Sequence, residues 1–166
     1  MLTNPAHFTI LKTAINSETD PAFVAARTVG EIGVMADFYN TLSQKVIWKT
    51  SVTRAEIYHT TSTEGTTWNW TTYKQQSVTE QNAWTQMFMG DVANMSLPNL
   101  RAGITAIFTG SAAQNQQAAH ILSVGKRFAR KGEAIYVAGQ ADSLNPGIAV
   151  VEGFITNSDI ITALGS

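Results

Sequence analysis

A short extended run that leads directly into a capped helix lies at residues 45–57, KVIWKTSVTRAEI. Side chains alternate between two faces over Val46–Val52, a pattern that predicts a β-strand. Thr53 and Glu56 then form a capping box, in which each side chain accepts from the other residue's backbone amide. Most segments on either side of this junction have a helical period. We therefore predict a mainly α chain whose two helical parts are joined at this point.

Helix-start signals recur along the rest of the chain. The candidate starts are Asn4-Pro5, Asp20-Pro21, the capping boxes Thr28/Glu31 and Ser77/Glu80, Pro98, Ser111, and Thr156–Asp159. Ser111 begins the longest predicted helix, which we expect to continue to about Val137 with a bend at Gly132. Small residues in its first half permit close packing against another helix.

A second strand is predicted at residues 148–155, IAVVEGFI, because the run is rich in β-branched residues. Two strands in a helical chain must find partners, since an open edge leaves backbone groups unpaired. We expect the strand at 46–52 to pair with 149–155, and Trp48 to fill the gap between sheet and helices. The alternative is that one strand adds to the sheet of a neighbouring molecule. The predicted architecture is a single helical domain over residues 1–166 with a small two-stranded β element.

A low content of charge limits the partners of this chain. Charged residues make up 14% of the 166 residues, against about a quarter in ordinary globular domains. A neutral surface of hydroxyl and amide groups is cheaper to bury than ions, which favours permanent protein contacts over a neutral soluble monomer. The net charge of −1 and the scattered basic residues argue against a nucleic-acid partner. No apolar run approaches the ~18 residues of a membrane span, so we expect no membrane partner.

No arrangement typical of catalysis is evident. The chain has no cysteine, and its histidines, His7, His59 and His120, are far apart and in no metal-ligand spacing. His120 lies within an apolar run and is better explained as a buried helix residue than as a ligand. Glu31, Glu56, Glu80 and Asp159 have capping positions, which account for them. We therefore predict a protein that is not an enzyme and that binds neither cofactor nor metal.

Large aromatic residues interrupt a threonine-rich loop at residues 60–72, TTSTEGTTWNWTT. Trp68, Trp70 and the adjacent Tyr73 are candidate partner-binding residues if their rings face solvent. The competing interpretation is that the rings fold inward as a lid over the core, as isolated aromatic clusters usually do.

A second group of candidate partner-binding residues consists of Lys126, Arg127 and Arg130, which we place with Lys131 in the second half of the long helix. This group is either a solvated basic face or a contact for an acidic partner. Arg101 lies in the first turn of a predicted helix, where the helix dipole opposes its charge. That position suggests a specific partner such as Asp91.

Several segments, in their order along the chain, resemble a family of small, poorly characterised structural proteins of tailed bacteriophages that are encoded near tail and tail-fibre genes. The segments are Ala36–Asn40, Val46–Val52 with Glu56-Ile57, Trp84 and Phe88, Pro98–Ile104, Glu152-Gly153 and Asp159-Ile160. Together they cover residues 30–160. The loop at 60–67 and the Gly132-Glu133 pair depart from the pattern.

The resemblance implies a location rather than a reaction. It leads us to expect a structural component of the virion, assembled in the host cytoplasm and placed at the tail tip, baseplate or fibre-attachment region. Its partners would be other phage structural proteins, bound in several symmetric copies. The alternatives are a head decoration or head–tail completion protein, or a non-structural phage protein that binds a host factor or assists fibre assembly.

Overall fold

The structure is a computed structural model that describes residues 2–62 and 64–165. Among these residues 54% lie in ten helices and 13% in small two-stranded sheets, which confirms the predicted mainly α class. In chain order the elements are α1 (Pro5–Ser17), α2 (Pro21–Val29), α3 (Ile32–Asn40), β1 (Leu42–Trp48), β2 (Val52–Thr53), α4 (Arg54–His59), α5 (Trp70–Lys74), α6 (Val78–Met87), β3 (Val92–Ala93), α7 (Pro98–Ile107), α8 (Ala112–Val124), β4 (Lys126–Arg130), α9 (Lys131–Ala134), β5 (Val137–Ala138), β6 (Ile148–Ala149) and α10 (Asn157–Gly165).

The chain divides into two compact units. The terminal unit comprises the residues up to Ile47 and those from Phe128 onward, and the central unit comprises Trp48–Arg127. The single domain expected over residues 1–166 stays a prediction.

Each unit has its own hydrophobic core. In the terminal unit α1 packs against α10, and α3 packs against α2, α9 and α10. In the central unit α7 packs against α6 and α8. The fully buried side chains of the terminal core include Leu11, Ile15, Phe23, Met35 and Ile160, and those of the central core include Ile57, Trp84, Phe88, Ile104, Phe108 and Ile121. Trp48 is also buried in the central core, as expected, with 8% of its surface exposed.

Helix starts were largely predictable because capping is a local interaction. The Asn4 and Asp20 side chains cap α1 and α2 as predicted. The capping boxes of Thr53 with Glu56 and of Ser77 with Glu80 are both formed. The predicted cap between residues 156 and 159 is also present at the start of α10.

The predicted capping box of Thr28 and Glu31 is wrong. The Thr28 hydroxyl donates to the Val24 carbonyl at 2.8 Å, so it lies in the last turn of α2. Gly30 follows in the left-handed region at φ +77°, which ends that helix as such glycines commonly do. Glu31 precedes α3 without a side-chain cap.

The long helix predicted to reach Val137 is also wrong, because α8 ends at Val124 and β4 follows. Gly125 lies against the core: a Cβ there would be 2.9 Å from Met95 Cγ. Gly132 is close to another segment as well, since its Cβ would be 2.4 Å from Ile155 Cγ1. At both positions the backbone packs closely against another segment, which favours glycine. Neither glycine marks a bend in one continuous helix.

Strand pairing differs from the prediction. β1 pairs with β4, β2 with β3, and β6 with β5, and the last pair is antiparallel with Val137 opposite Ala149. The predicted strands at 46–52 and 148–155 are not partners; Ile47 makes only a single bridge with Gly147. The strand expected over residues 148–155 stops at Ala149.

Side chains bond part of the backbone that follows Ala149. Gly153 has φ +114°, and its amide donates to Glu133 Oε1 at 2.9 Å. The Asn40 side chain bonds both backbone groups of Ile155, each at 2.9 Å. The Gly153 amide and both backbone groups of Ile155 are therefore paired without a sheet.

The lengths of the helices can be compared with the length that a membrane span requires. The longest helices, α1 and α8, have 13 residues each. No helix formed by residues 2–62 and 64–165 is long and apolar enough to cross a membrane.

Candidate functional site

A polar cleft lies in the central unit between residues 65–71 and the first half of α8. It has a volume of about 330 Å³. Hydroxyl and amide side chains dominate its lining: Thr66, Thr67, Asn69, Thr71, Gln116 and Gln117. Gly65, Trp68, Trp70 and Ala113 complete this lining, and it includes no charged side chain. We call this feature the Trp cleft.

Short-range hydrogen bonds shape the segment that forms one wall of the cleft. Asn69 Oδ1 accepts from the amides of Thr71 and Thr72 at 2.9 and 3.1 Å, which starts α5. Gln117 Oε1 accepts from the Asn69 amide at 2.8 Å and so ties this start to α8. The predicted loop at residues 60–72 thus ends at Asn69, and its Thr63 lies outside the described residues.

The two tryptophans of the cleft point in different directions. Trp68 is 7% exposed and stacks on Trp84, with ring centroids 5.3 Å apart. Trp70 is 50% exposed, and its ring lies 4.9 Å from Tyr58 and 6.0 Å from Tyr73. The lid interpretation therefore holds for Trp68, and the exposed interpretation holds for Trp70. Tyr73 is half-buried beside both rings.

Two buried donors in the cleft lining have no hydrogen-bond partner among the described residues. They are Trp68 Nε1 and Gln117 Nε2. The orientation of the Gln117 side-chain amide follows from its contact with Asn69. The backbone N–H of Asn69 can only donate, so the atom that it contacts must be Gln117 Oε1 and not Nε2. Because unpaired buried donors are rare and costly, an acceptor bound at either group would lower the free energy of the site. Sequence reasoning found Trp68 but missed Gln117, which no local pattern distinguishes from its neighbours.

His120 has a structural role next to this site. Its side chain is fully buried, and Nε2 donates to the Ile57 carbonyl at 2.8 Å. The expectation of a buried helix residue is confirmed.

The three candidate basic residues lie on β4 and not on a helix, which corrects their predicted setting. Lys126 Nζ is 5.4 Å from the centroid of the Trp48 ring, and Arg127 is half-buried. The Arg130 guanidinium lies 4.0 Å from the centroid of Phe154 and 3.7 Å from the buried Glu133 carboxylate. They do not form the basic helix face that the sequence suggested.

The predicted pairing of Arg101 with Asp91 is wrong. Asp91 accepts from Arg54 Nη2 at 2.7 Å. Arg101 instead lies 4.5 Å from the centroid of Trp48 and donates to the Met95 carbonyl at 2.6 Å. A cation over an indole ring explains why a charge is tolerated in the first turn of α7.

Two exposed phenylalanines lie near Arg130 in the terminal unit. Phe154 is 59% exposed and contacts the guanidinium. Phe128 is 50% exposed and lies two residues before Arg130 on β4, so the side chains of Phe128 and Arg130 project from the same face of the strand. We call Phe128, Arg130 and Phe154 the Phe–Arg surface. Sequence reasoning selected Arg130 but missed both aromatic residues.

Within the described ranges, no group of three or more His, Asp or Glu residues is placed to hold a metal ion. Comparison with protein-family models, with curated proteins and with solved structures finds no match to this chain.

Proposed function

We propose that this protein is a structural component of a tailed-phage virion, located at the tail tip, baseplate or fibre-attachment region. It acts through protein–protein contacts and performs no catalysis. The observation that carries the proposal is the Phe–Arg surface, which has the composition of a protein interface. The ordered resemblance described above supplies the setting.

The residues that carry the resemblance support a shared architecture. Asn40 holds the backbone of Ile155, and Glu56 completes the capping box that starts α4. Asp159 accepts from the Thr156 and Leu2 amides and starts α10. Roles of this kind belong to a fold and involve no reaction, which agrees with a structural protein.

Exposed apolar side chains support burial in an assembly. Sixteen large hydrophobic residues are exposed among those described, on a chain that is only 14% charged. Single exposed hydrophobics are ordinary on a protein surface. The Phe–Arg surface differs because the Phe154 ring lies against the Arg130 guanidinium and a second exposed ring, Phe128, lies on the same face of β4 as Arg130. Aromatic residues and Arg are enriched at protein interfaces.

Arg130 is held in place before any partner binds. Its guanidinium contacts Phe154 and the Glu133 carboxylate, which is 1% exposed. A side chain that is already ordered loses less entropy on association. Because Glu133 supplies the opposite charge internally, the partner contributes mainly apolar area. We therefore expect the contact to resist salt.

The test replaces the two rings and follows incorporation into particles. Phe128→Ser with Phe154→Ser should lower the amount of the protein in purified particles at least tenfold, since interface anchors contribute about 2 kcal/mol or more each. The matched control is Leu144→Ser in the same unit, at a side chain that is 88% exposed. The control should incorporate normally. Normal incorporation of the double variant would contradict the proposed surface.

Salt washing distinguishes this surface from a contact made by ion pairs. At about 1 M salt the Debye length falls to about 3 Å, which screens exposed charges but not apolar burial. We expect wild-type protein to remain on particles in 1 M salt. Release at a few hundred millimolar would assign the contact to Lys126 and Arg127. Loss of incorporation in Trp70→Ala, with the Phe variants normal, would assign it to the Trp cleft.

A further inference from the structure

We propose that the Trp cleft binds a neutral saccharide, with one pyranose ring of an oligosaccharide stacked on Trp70. This inference goes beyond the proposed function and does not depend on it. It rests on three properties of the cleft: unpaired donors, a neutral polar lining and an exposed aromatic ring.

The unpaired donors call for an uncharged ligand that is rich in oxygen. Trp68 Nε1 and Gln117 Nε2 are buried, and neither has an acceptor among the described residues. A ligand hydroxyl or ring oxygen supplies such an acceptor and removes the penalty of an unpaired buried group. A molecule that carries several oxygens can supply an acceptor to each of the two donors.

The lining of the cleft selects against charged ligands. Three threonines and the amide residues Asn69, Gln116 and Gln117 line this space, and no Lys, Arg, Asp or Glu is part of its lining. A phosphate or carboxylate would lose its hydration without gaining an opposite charge. Hydroxyl groups can both donate and accept, so they pair well with threonine and amide side chains.

Trp70 supplies the stacking surface. Half of the side chain is exposed, while Tyr58, Trp68 and Tyr73 lie within 6.0 Å, centroid to centroid. These neighbours hold the ring in position before a ligand arrives. The negative face of an indole attracts the C–H groups on the apolar face of a pyranose, by the same electrostatics that orient aromatic pairs.

The cleft suits one sugar ring better than a peptide. Its volume of about 330 Å³ is at the small end of the range for ligand pockets. Grooves that bind proline-rich peptides are lined by aromatic residues along several turns of the ligand. Here a single ring is exposed, and the rest of the lining is polar.

The experiment measures binding of defined oligosaccharides to the purified full chain by isothermal titration and by tryptophan fluorescence. The probes are maltohexaose, cellohexaose, chitohexaose and mannohexaose, with hexagalacturonate and a decamer of proline for comparison. We expect at least one neutral hexamer to bind with a Kd of about 1 mM or tighter. Absence of binding by all four would overturn the proposal, as would preference for the acidic sugar or the peptide.

Variants then locate the site. Trp70→Ala and Gln116→Ala should each weaken binding at least threefold, because both side chains line the cleft and are exposed. Asn115→Ala is the matched control for Gln116→Ala, since Asn115 is the adjacent exposed residue of α8 and lies outside the lining. Circular dichroism checks that each variant is folded. Unchanged affinity in folded Gln116→Ala and Trp70→Ala would contradict this location and the proposal with it.

Discussion

Trp48→Ala tests how the central unit is held together. The side chain is 8% exposed, and the charged groups of Arg101 and Lys126 lie 4.5 and 5.4 Å from its ring centroid. Burial of about 150–250 Å² at about 25 cal/mol per Å² contributes roughly 4–6 kcal/mol, which is an upper bound. Substitutions of buried Trp by Ala usually cost about 3–5 kcal/mol. Each cation over the ring adds about 0.5–1 kcal/mol.

We therefore expect Trp48→Ala to lower the free energy of unfolding by about 3–5 kcal/mol. The assay is urea denaturation at pH 7, followed by both circular dichroism and fluorescence. Met89→Ala is the control, because Met89 is 81% exposed and its loss should cost no more than about 0.5 kcal/mol. A loss below about 1 kcal/mol for Trp48→Ala would refute its place in the core. If stability is unchanged while particle assembly fails, Trp48 is an interface residue.

Two further predictions concern the terminal unit. Gly147→Ala should destabilise it by about 1–3 kcal/mol, because the new Cβ would lie 2.3 Å from Val137 Cγ1 and 2.9 Å from the Ala138 carbonyl oxygen; an unchanged Tm would contradict this close approach. Burial alone would raise the pKa of Asp159, but hydrogen bonds from Thr156 and Leu2 outweigh it and hold the pKa below its usual 3.8. A carboxylate whose pKa is lowered by folding stabilises the protein above pH 3.8, and this stabilisation is lost as the pH falls through the folded-state pKa. Asp159→Asn should therefore make the free energy of unfolding fall less steeply with decreasing pH at the acid end of the profile. An identical acid profile for the variant and the wild type would contradict this.

Local chemistry made much of the fold predictable. The capping boxes at Thr53 and Ser77 depend only on residues three positions apart, so the sequence contains all the information needed. The same rule failed at Thr28, where Gly30 ends one helix before the next begins. The Thr28/Glu31 pair predicts a helix start, whereas Gly30 predicts a helix end. The left-handed backbone conformation of Gly30 decides in favour of the helix end.

Contacts between distant segments account for the parts that were not predictable. The run at residues 126–130 has no strong preference, and it becomes a strand because β1 lies beside it. In the sequence, Gly125 looks like a glycine that a helix interior tolerates. In the structure, Met95 packs so closely against it that a Cβ would be crowded. Likewise, residues 150–155 have strand composition, but the Glu133 and Asn40 side chains bond the backbone of Gly153 and Ile155.

The candidate site was predictable only in part for the same reason. The aromatic residues of the loop were visible in the sequence, but it did not show that Trp68 is buried against Trp84 while Trp70 stays half exposed. Gln117 is one of several glutamines, and only the position of Asn69 across the cleft gives it a role. Phe154 lay within a predicted strand, where alternation alone did not reveal its contact with Arg130.

The most direct test of the proposed virion role is the number of copies of this protein in purified phage particles. Quantitative mass spectrometry against a labelled standard, after density-gradient purification, gives the ratio to the major capsid and tail proteins. We predict that the protein is present in a fixed ratio to tail proteins and remains after a wash in about 1 M salt. A fixed ratio to the capsid protein would instead indicate a head protein. Absence from particles, with abundant protein in the infected cell, would contradict the structural role.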